Sequence, residues 1–325
     1  LLSDGVDVVT NVQNPIAIDT RTIRLDAMKH QMNLEPRIRL MYSAKANSIS
    51  NGWKKWQGES KGIRECNVIA KKEAEEADFQ KWVNSDKDRQ KQYGSLLADM
   101  KRAYKNYAEQ TRVSTFISEC VFGPEIISNG VHPYYRLLVS PALRAENGIV
   151  EENKSKLLES NSAFRESYCP AIDKEAFVEL FTYYFTKENP DMIPAELRKY
   201  VLDEATVRQI MTALWDKQAT TAPYITDNEK FADFISKATP KQIAKTSNNE
   251  LIKIYKALFD QYQASRNKLT PTKLQLDSYY RTYVKALMEK EKDRVFYPDA
   301  NLTLRVTYGQ VKGFEPADGV EYNYY

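Results

Sequence analysis

Histidine is almost absent: the chain of 325 residues holds two, His30 and His132. A self-contained serine–histidine–aspartate site is therefore not expected. His30 falls on an apolar helical stripe with Ile23, Ala27 and Leu34, so it reads as a structural histidine rather than a catalytic one. His132-Pro133-Tyr134-Tyr135-Arg136 reads as a packed turn. The three cysteines, Cys66, Cys120 and Cys169, are far apart and follow no ligand spacing. They allow at most one disulfide and read as buried free thiols. No Gly-rich phosphate loop, His-Glu-x-x-His, Cys-x-x-Cys or Gly-x-Ser-x-Gly occurs, so no metal and no cofactor is expected. No apolar run reaches the roughly 18 residues that a membrane-spanning helix needs. The charge balance is nearly even, 47 Lys+Arg against 44 Asp+Glu, which gives no reason to expect nucleic acid or an anionic membrane as partner. Only 11 Gly and 13 Pro punctuate the chain, and so few breakers favour helices over a many-turned β fold. Neither end carries a start methionine, a leader or a stop signal, so both read as cut from something longer.

What is present is helical periodicity. Residues 6–14 are β-branched and read as a loop before Pro15. A helix is expected from about Asp19 to Leu34, ended by Glu35-Pro36. The next, from about Pro36 to Gln57, places Ile38, Tyr42, Ala46, Ile49, Trp53 and Trp56 on one face. Its middle contains Asn51-Gly52, a strong hairpin signal. The apolar stripe continues in register through that pair, so one unbroken helix is expected. Asn51 then lies opposite the stripe, flanked by Asn47, Ser48, Lys54, Lys55 and Gly58. The two tryptophans and two lysines point to different faces, which argues against an aromatic–basic nucleic-acid patch.

Further helices are expected over Lys61–Val83, Asp86–Glu119, Ile126–Val139, Glu151–Tyr168, Asp173–Phe185, Pro194–Val201, Glu204–Thr221, Asn228–Ser236, Asn249–Gln263 and Pro271–Lys292. The acidic run Glu73–Asp78 alternates with lysines and reads as a solvated face. Then the period changes. Leu302, Leu304, Val306 and Tyr308 alternate with polar residues, which predicts a half-buried strand. The fold class is thus mainly α, with short β segments at the ends. Two matches to the glycosylation sequon, Asn153-Lys154-Ser155 and Asn301-Leu302-Thr303, are of a kind common by chance.

Three stretches together resemble one family. They are Arg39-Leu40-Met41-Tyr42-Ser43-Ala44-Lys45, Ile49-Ser50-Asn51-Gly52-Trp53-Lys54-Lys55-Trp56-Gln57-Gly58, and the run from Tyr297-Pro298-Asp299-Ala300-Asn301 through Gly313. In order and spacing they are similar to bacterial serine dipeptidyl peptidases of the dipeptidyl peptidase 7 and 11 type. The resemblance implies a chymotrypsin-like double β-barrel with a large inserted helical domain capping its cleft. The triad's His and Asp would precede this chain, and its Ser would follow, in a Gly-Asn-Ser-Gly-Ser stretch. Residues 1–18 would be the connector from the first barrel, 19–293 the helical cap, and 294–325 the return into the second barrel. No catalytic residue is expected in this chain, which alone would be inactive.

The resemblance also implies a role for Asn51. Such peptidases release dipeptides from free N-termini, and an Asn of the capping helix helps hold the substrate ammonium. By position in the motif that residue is Asn51, with Gly52 keeping the surface beside it low. Asn51-Gly52 as a tolerated irregularity without a role is the other reading. Implied partners are a peptide with a free N-terminus and the catalytic barrel of the same chain; a homodimer of the parent is compatible with this. Implied locations are secreted, periplasmic or outer-membrane-associated. The preference at the cleaved residue, acidic or hydrophobic, stays open, because the barrel builds that pocket. A different class, a helical module binding glycans or peptides in surface nutrient uptake, is the alternative. The strand expected after Asp299 and the lack of a solenoid repeat disfavour it.

Overall fold

The computed structural model describes residues 1–222, 227–298 and 300–324. They form two compact units, Leu1–Tyr283 and Val284–Tyr325. The first is helical throughout. It opens with α1 (Ser3–Asp7), a π-helical turn (Val8–Gln13) and α2 (Asn14–Leu34). The expected loop over residues 6–14 and the N-terminal β segment are therefore corrected to helix. The β-branched run lowers helix propensity only slightly. Burial outweighs it: Val6, Val8 and Thr10 are buried, and Val8 packs with Ala103, Tyr104 and Leu276. The start of α1 is held from outside, since Glu76 accepts from the Ser3 amide at 2.6 Å and the Ser3 hydroxyl at 3.0 Å.

Glu35 leaves the helical region and Pro36 opens α3 (Pro36–Glu65), which folds back along α2. The helix continues beyond the expected Gln57 and ends where Asn67 takes a left-handed conformation. Next come α4 (Val68–Asn84), α5 (Lys87–Tyr93) and α6 (Leu96–Phe116). Asp86 caps α5 by accepting from the amides of Asp88 and Arg89, and the single helix expected from 86 to 119 is broken at Gly94-Ser95.

The apolar segment from 117 to 139 carries π-helical turns at Ile117–Val121, Ile126–Val131 and Tyr135–Val139 around α7 (His132–Tyr134). It is followed by α8 (Ser140–Leu143), α9 (Asn147–Glu166) and α10 (Pro170–Lys187). Phe177, Phe181, Tyr184 and Phe185 of α10 are fully buried at the centre of the main core. After two short 3₁₀ turns come α11 (Glu204–Thr221), α12 (Asn228–Lys237), α13 (Pro240–Lys245) and the long α14 (Glu250–Lys290).

Two helices were expected across α14, with a break before Pro271; the structure has one helix of 41 residues. An interior proline costs about 3 kcal/mol. Packing on both sides of it offsets this. Tyr255 and Leu258 enter the main core, while Leu276 joins the smaller core of Val8, Ala103 and Tyr104. Helix α6 makes the same crossing, with Phe116 in one core and Tyr104 in the other.

In the second unit the expected strand is also corrected. Leu302, Leu304, Val306 and Tyr308 are exposed and form no strand. Alternation sets which face is apolar, but a strand needs a neighbour to receive its backbone bonds. The strands lie later, β1 (Phe314–Ala317) and β2 (Val320–Tyr322), paired antiparallel. Their turn is Asp318-Gly319, with Gly319 at φ +74°, a hairpin signal present in the sequence. Asp299 and Tyr325, both within the expected return segment 294–325, lie outside the described residues.

One buried carboxylate ties the main core together. Asp173, in the first turn of α10, accepts from the amides of Glu125 at 2.6 Å and Ile126 at 2.7 Å, and from the Tyr168 hydroxyl at 3.0 Å. Those amides open the π-helical turn at Ile126. Burial pushes the Asp173 carboxyl up to about 7, against the pull of the two amides. The native state then holds a proton that an unfolded aspartate near 3.8 has lost. That contribution to stability is present below pH 3.8 and is lost as pH rises to about 7. Asp173→Asn turns an amide N–H toward backbone donors and should cost about 2–4 kcal/mol. In urea titrations the gap between wild type and variant should narrow from pH 4 to 7. A gap that widens over that range refutes the assignment.

Candidate functional site

Helix α3 is the element on which the sequence placed its candidate residue. It runs unbroken through Asn51-Gly52, as the apolar register required. Tyr42 and Ile49 are buried, and Ile38, Ala46, Trp53 and Trp56 are half-buried. Asn47, Ser48, Asn51, Lys54, Lys55 and Gly58 are exposed. The Asn51 side chain makes no hydrogen bond among the described residues, so its carbonyl is available as an acceptor.

Polar contacts fix this helix alongside the burial of Tyr42 and Ile49 in the main core. At its N-terminal half the Tyr42 hydroxyl accepts from the Cys169 amide at 2.8 Å. Burial pushes that phenol far above its ordinary pKa, so it stays neutral. Lys45 donates to Glu125 at 2.7 Å and to the Ser167 carbonyl at 2.6 Å. Glu125 is the residue whose amide Asp173 binds, so α3 is coupled to the buried carboxylate through one side chain. Further along, the Trp53 indole N–H donates to Thr22 at 2.9 Å. The Arg21 guanidinium lies over the Trp56 ring, 4.2 Å from its centroid. Near the end, Asn14 donates to Ser60 at 3.0 Å.

Two details of the sequence reading change here. The apolar face that the sequence extends through Trp53 and Trp56 reaches only the rim there, where a hydrogen bond and a cation–π contact hold them. Gly52 does not lower the surface beside Asn51. Its open side faces α2, where a Cβ would come within 2.8 Å of Arg21 Nη1.

His30 is exposed rather than packed, with Nδ1 3.0 Å from Glu175. The stripe that suggested packing leaves the core before its end, as Leu34 is exposed too. His132 is packed as expected: Nδ1 lies 2.6 Å from the Tyr255 hydroxyl, and the rings of Phe122 and Phe259 lie edge-on. Burial, with Arg136 nearby, lowers its pKa, so it is neutral at pH 7. Cys120 and Cys169 are buried free thiols, whereas Cys66 is exposed. Among the described residues no group of three or more His, Cys, Asp or Glu is arranged to hold a metal ion. None of their helices is long and apolar enough to cross a membrane. Sequence reasoning missed Asp173, Lys45, Glu125 and Arg21. The only local signal was an acidic residue in the first turn of α10, which is ordinary helix chemistry.

The family model for peptidase S46 matches residues 1–325. The chain belongs to the peptidase S46 family. It is 29% identical over 333 residues to an Asp/Glu-specific dipeptidyl-peptidase of Capnocytophaga gingivalis, covering 99% of this chain and 44% of that protein. It is 26% identical over 330 residues to dipeptidyl-peptidase 7 of Porphyromonas gingivalis, covering 100% of this chain and 44% of that protein. Among solved structures it superposes on Porphyromonas endodontalis DPP11 in complex with the dipeptide Arg-Glu. The TM-score is 0.77 at 22% identity, over 99% of this chain and 45% of that one. This last likeness shows the fold. The S46 chain described here thus spans less than half the length of the relatives it matches.

The two modes of attachment of α3 can be separated by mutation. Tyr42→Phe leaves the buried Cys169 amide without its acceptor and should cost about 1–3 kcal/mol. Trp53→Phe keeps ring bulk at a half-exposed site, loses one bond, and should cost about 1 kcal/mol or less. Urea denaturation of the two variants would contradict this account if Trp53→Phe were the more damaging.

Proposed function

We propose that this chain is the helical capping part of an S46 serine exopeptidase that releases dipeptides from free N-termini. The observation that carries the reading is the family match along the whole chain, with dipeptidyl peptidases of both acidic-specific and type 7 designation among the relatives. A helical binding module for nutrient uptake has no comparable support. The helical body lies over a double β-barrel supplied by the rest of the parent, and the segment after α14 returns to it. The exposed, alternating Leu302, Leu304, Val306 and Tyr308 are consistent with a strand whose neighbours belong to that barrel. The parent acts outside the cytoplasm, secreted, periplasmic or held at the outer membrane, and a homodimer is compatible with the reading.

Within this reading Asn51 accepts a hydrogen bond from the substrate's terminal ammonium. Its exposure on the face of α3 turned away from α2 supports the assignment, because a residue packed against α2 has no access to a peptide. An ammonium is donor-only, so an amide carbonyl is a suitable partner. Specificity for a free N-terminus follows, since a blocked terminus lacks the charge that makes the bond worth about 1.5–3 kcal/mol.

Chemistry in this chain alone is not expected. Neither histidine is hydrogen-bonded to a serine among the described residues, and His132 is spent on Tyr255. A fluorophosphonate serine probe should therefore leave the isolated chain unlabelled, and dipeptidyl fluorogenic substrates should stay intact. Labelling together with turnover would overturn the division of labour.

In the intact parent, Asn51→Ala should lower kcat/KM for free-amine dipeptidyl substrates roughly ten- to a hundredfold. The melting temperature should hardly move, because the side chain is exposed and Ala is the better helix former. A change in kcat/KM within about twofold makes the ammonium role untenable.

A further inference from the structure

The contacts around Gly52 point to a role for a residue on the neighbouring helix. Arg21 projects from α2 into the notch that Gly52 leaves in α3. A Cβ built on Gly52 would lie 2.8 Å from Arg21 Nη1, 3.5 Å from its Cζ and 3.6 Å from Trp56 Cζ3. The guanidinium therefore fills the space between Gly52 and the Trp56 indole, over which it stacks. Little else holds it. Among the described residues its ion pair, to Glu119, is long at 3.5 Å, and its Nε is buried without a hydrogen-bond partner. A buried N–H without an acceptor costs about 1–3 kcal/mol. The arrangement persists because the planar cation fits a slot that only glycine opens.

The neighbours of Arg21 hold α2 on both sides. Thr20 donates to Glu119 of the π-helical turn Ile117–Val121 at 3.3 Å, and Thr22 accepts from the Trp53 indole at 2.9 Å on the α3 side. Two consecutive residues of α2, Arg21 and Thr22, thus grip one turn of α3, the turn that follows Asn51. Rotation of α3 about its own axis is resisted there by the guanidinium wedged against Gly52 and Trp56. Asn51 sits on the opposite side of the same turn and swings with it.

We propose that Arg21, seated in the Gly52 notch and stacked on Trp56, is a positioning residue that fixes the orientation of Asn51 toward the substrate's N-terminus. The proposal rests on the reading of Asn51 given above. It also answers why a helix should carry Asn-Gly in its middle. The asparagine faces the ligand, and the glycine admits the cation that aims it.

The test uses the intact peptidase and free-amine dipeptidyl substrates. Gly52→Ala expels the guanidinium, and Arg21→Ala removes it. Arg21→Lys keeps the charge without the planar stack and guards against a cavity artefact. Each should raise KM roughly three- to tenfold with kcat within about twofold, the signature of lost binding rather than lost chemistry. The double variant Arg21→Ala/Gly52→Ala should be no worse than the worse single, since both remove one contact. In an Asn51→Ala background none of the three should have a further effect on KM. Effects that multiply in the double variant, or that persist without Asn51, would assign Arg21 a general structural role and overturn the proposal. Unchanged KM in all three variants would also overturn it. If Asn51→Ala itself is silent, the ammonium reading fails instead, and the two failures are told apart.

Discussion

The main core depends on one ionisable group placed where water does not reach. Asp173 binds the first amides of the π-helical segment at Glu125 and Ile126, together with the hydroxyl of Tyr168. Helix termini and irregular helical turns leave backbone donors unsatisfied. Inside a core such donors need a partner of their own. A single carboxylate on α10 satisfies two of them. That fixes where the π-helical turn Ile126–Val131 begins relative to the aromatic face of α10, on which much of the remaining core packs.

The same anchor reaches the candidate site. Glu125, held through its amide, presents its carboxylate to Lys45 of α3, and Lys45 also bonds the Ser167 carbonyl just before Tyr168. The N-terminal half of α3 is thereby tied to α10 through two side chains. Among the described residues the polar side-chain ties of the C-terminal half to other elements go to α2, by Thr22, Arg21 and Asn14. An exposed face of a half-buried helix is thus held by polar contacts on its inner side. Such contacts fix rotation as well as distance, which apolar packing alone does less well. The proposed role of Asn51 requires that rotational control.

Among the described residues neither histidine is bonded to a serine, which fits the proposed reading of this chain as a cap in an S46 peptidase. In that proposal the cap binds one end of the substrate and the chemistry belongs to the remainder of the parent. The many buried tyrosines fit this division. Tyr42, Tyr168 and Tyr255 are all pushed well above their ordinary pKa by burial, so they act as neutral hydrogen-bonding residues rather than as acids.

The sequence by itself determined the helical class, the unbroken course of α3 through Asn51-Gly52, and the outward placement of Asn51. All three follow from periodicity, which is a local property that each turn repeats. The resemblance carried by short motifs likewise identified the family. Tertiary structure alone decided the rest. Whether β-branched residues 6–14 coil or form helix turned on their burial against α6 and α14. Whether Pro271 ends a helix turned on two cores gripping it from either side. Whether Leu302–Tyr308 becomes a strand turns on neighbours that periodicity does not supply. Arg21 lies 31 residues from Gly52, the same separation as Thr22 from Trp53, and Asp173 lies 48 residues from Glu125. No local pattern links such pairs. Side-chain hydrogen bonds and cation stacking between distant segments exist only once the chain has folded, and here they hold the turn of α3 that follows Asn51.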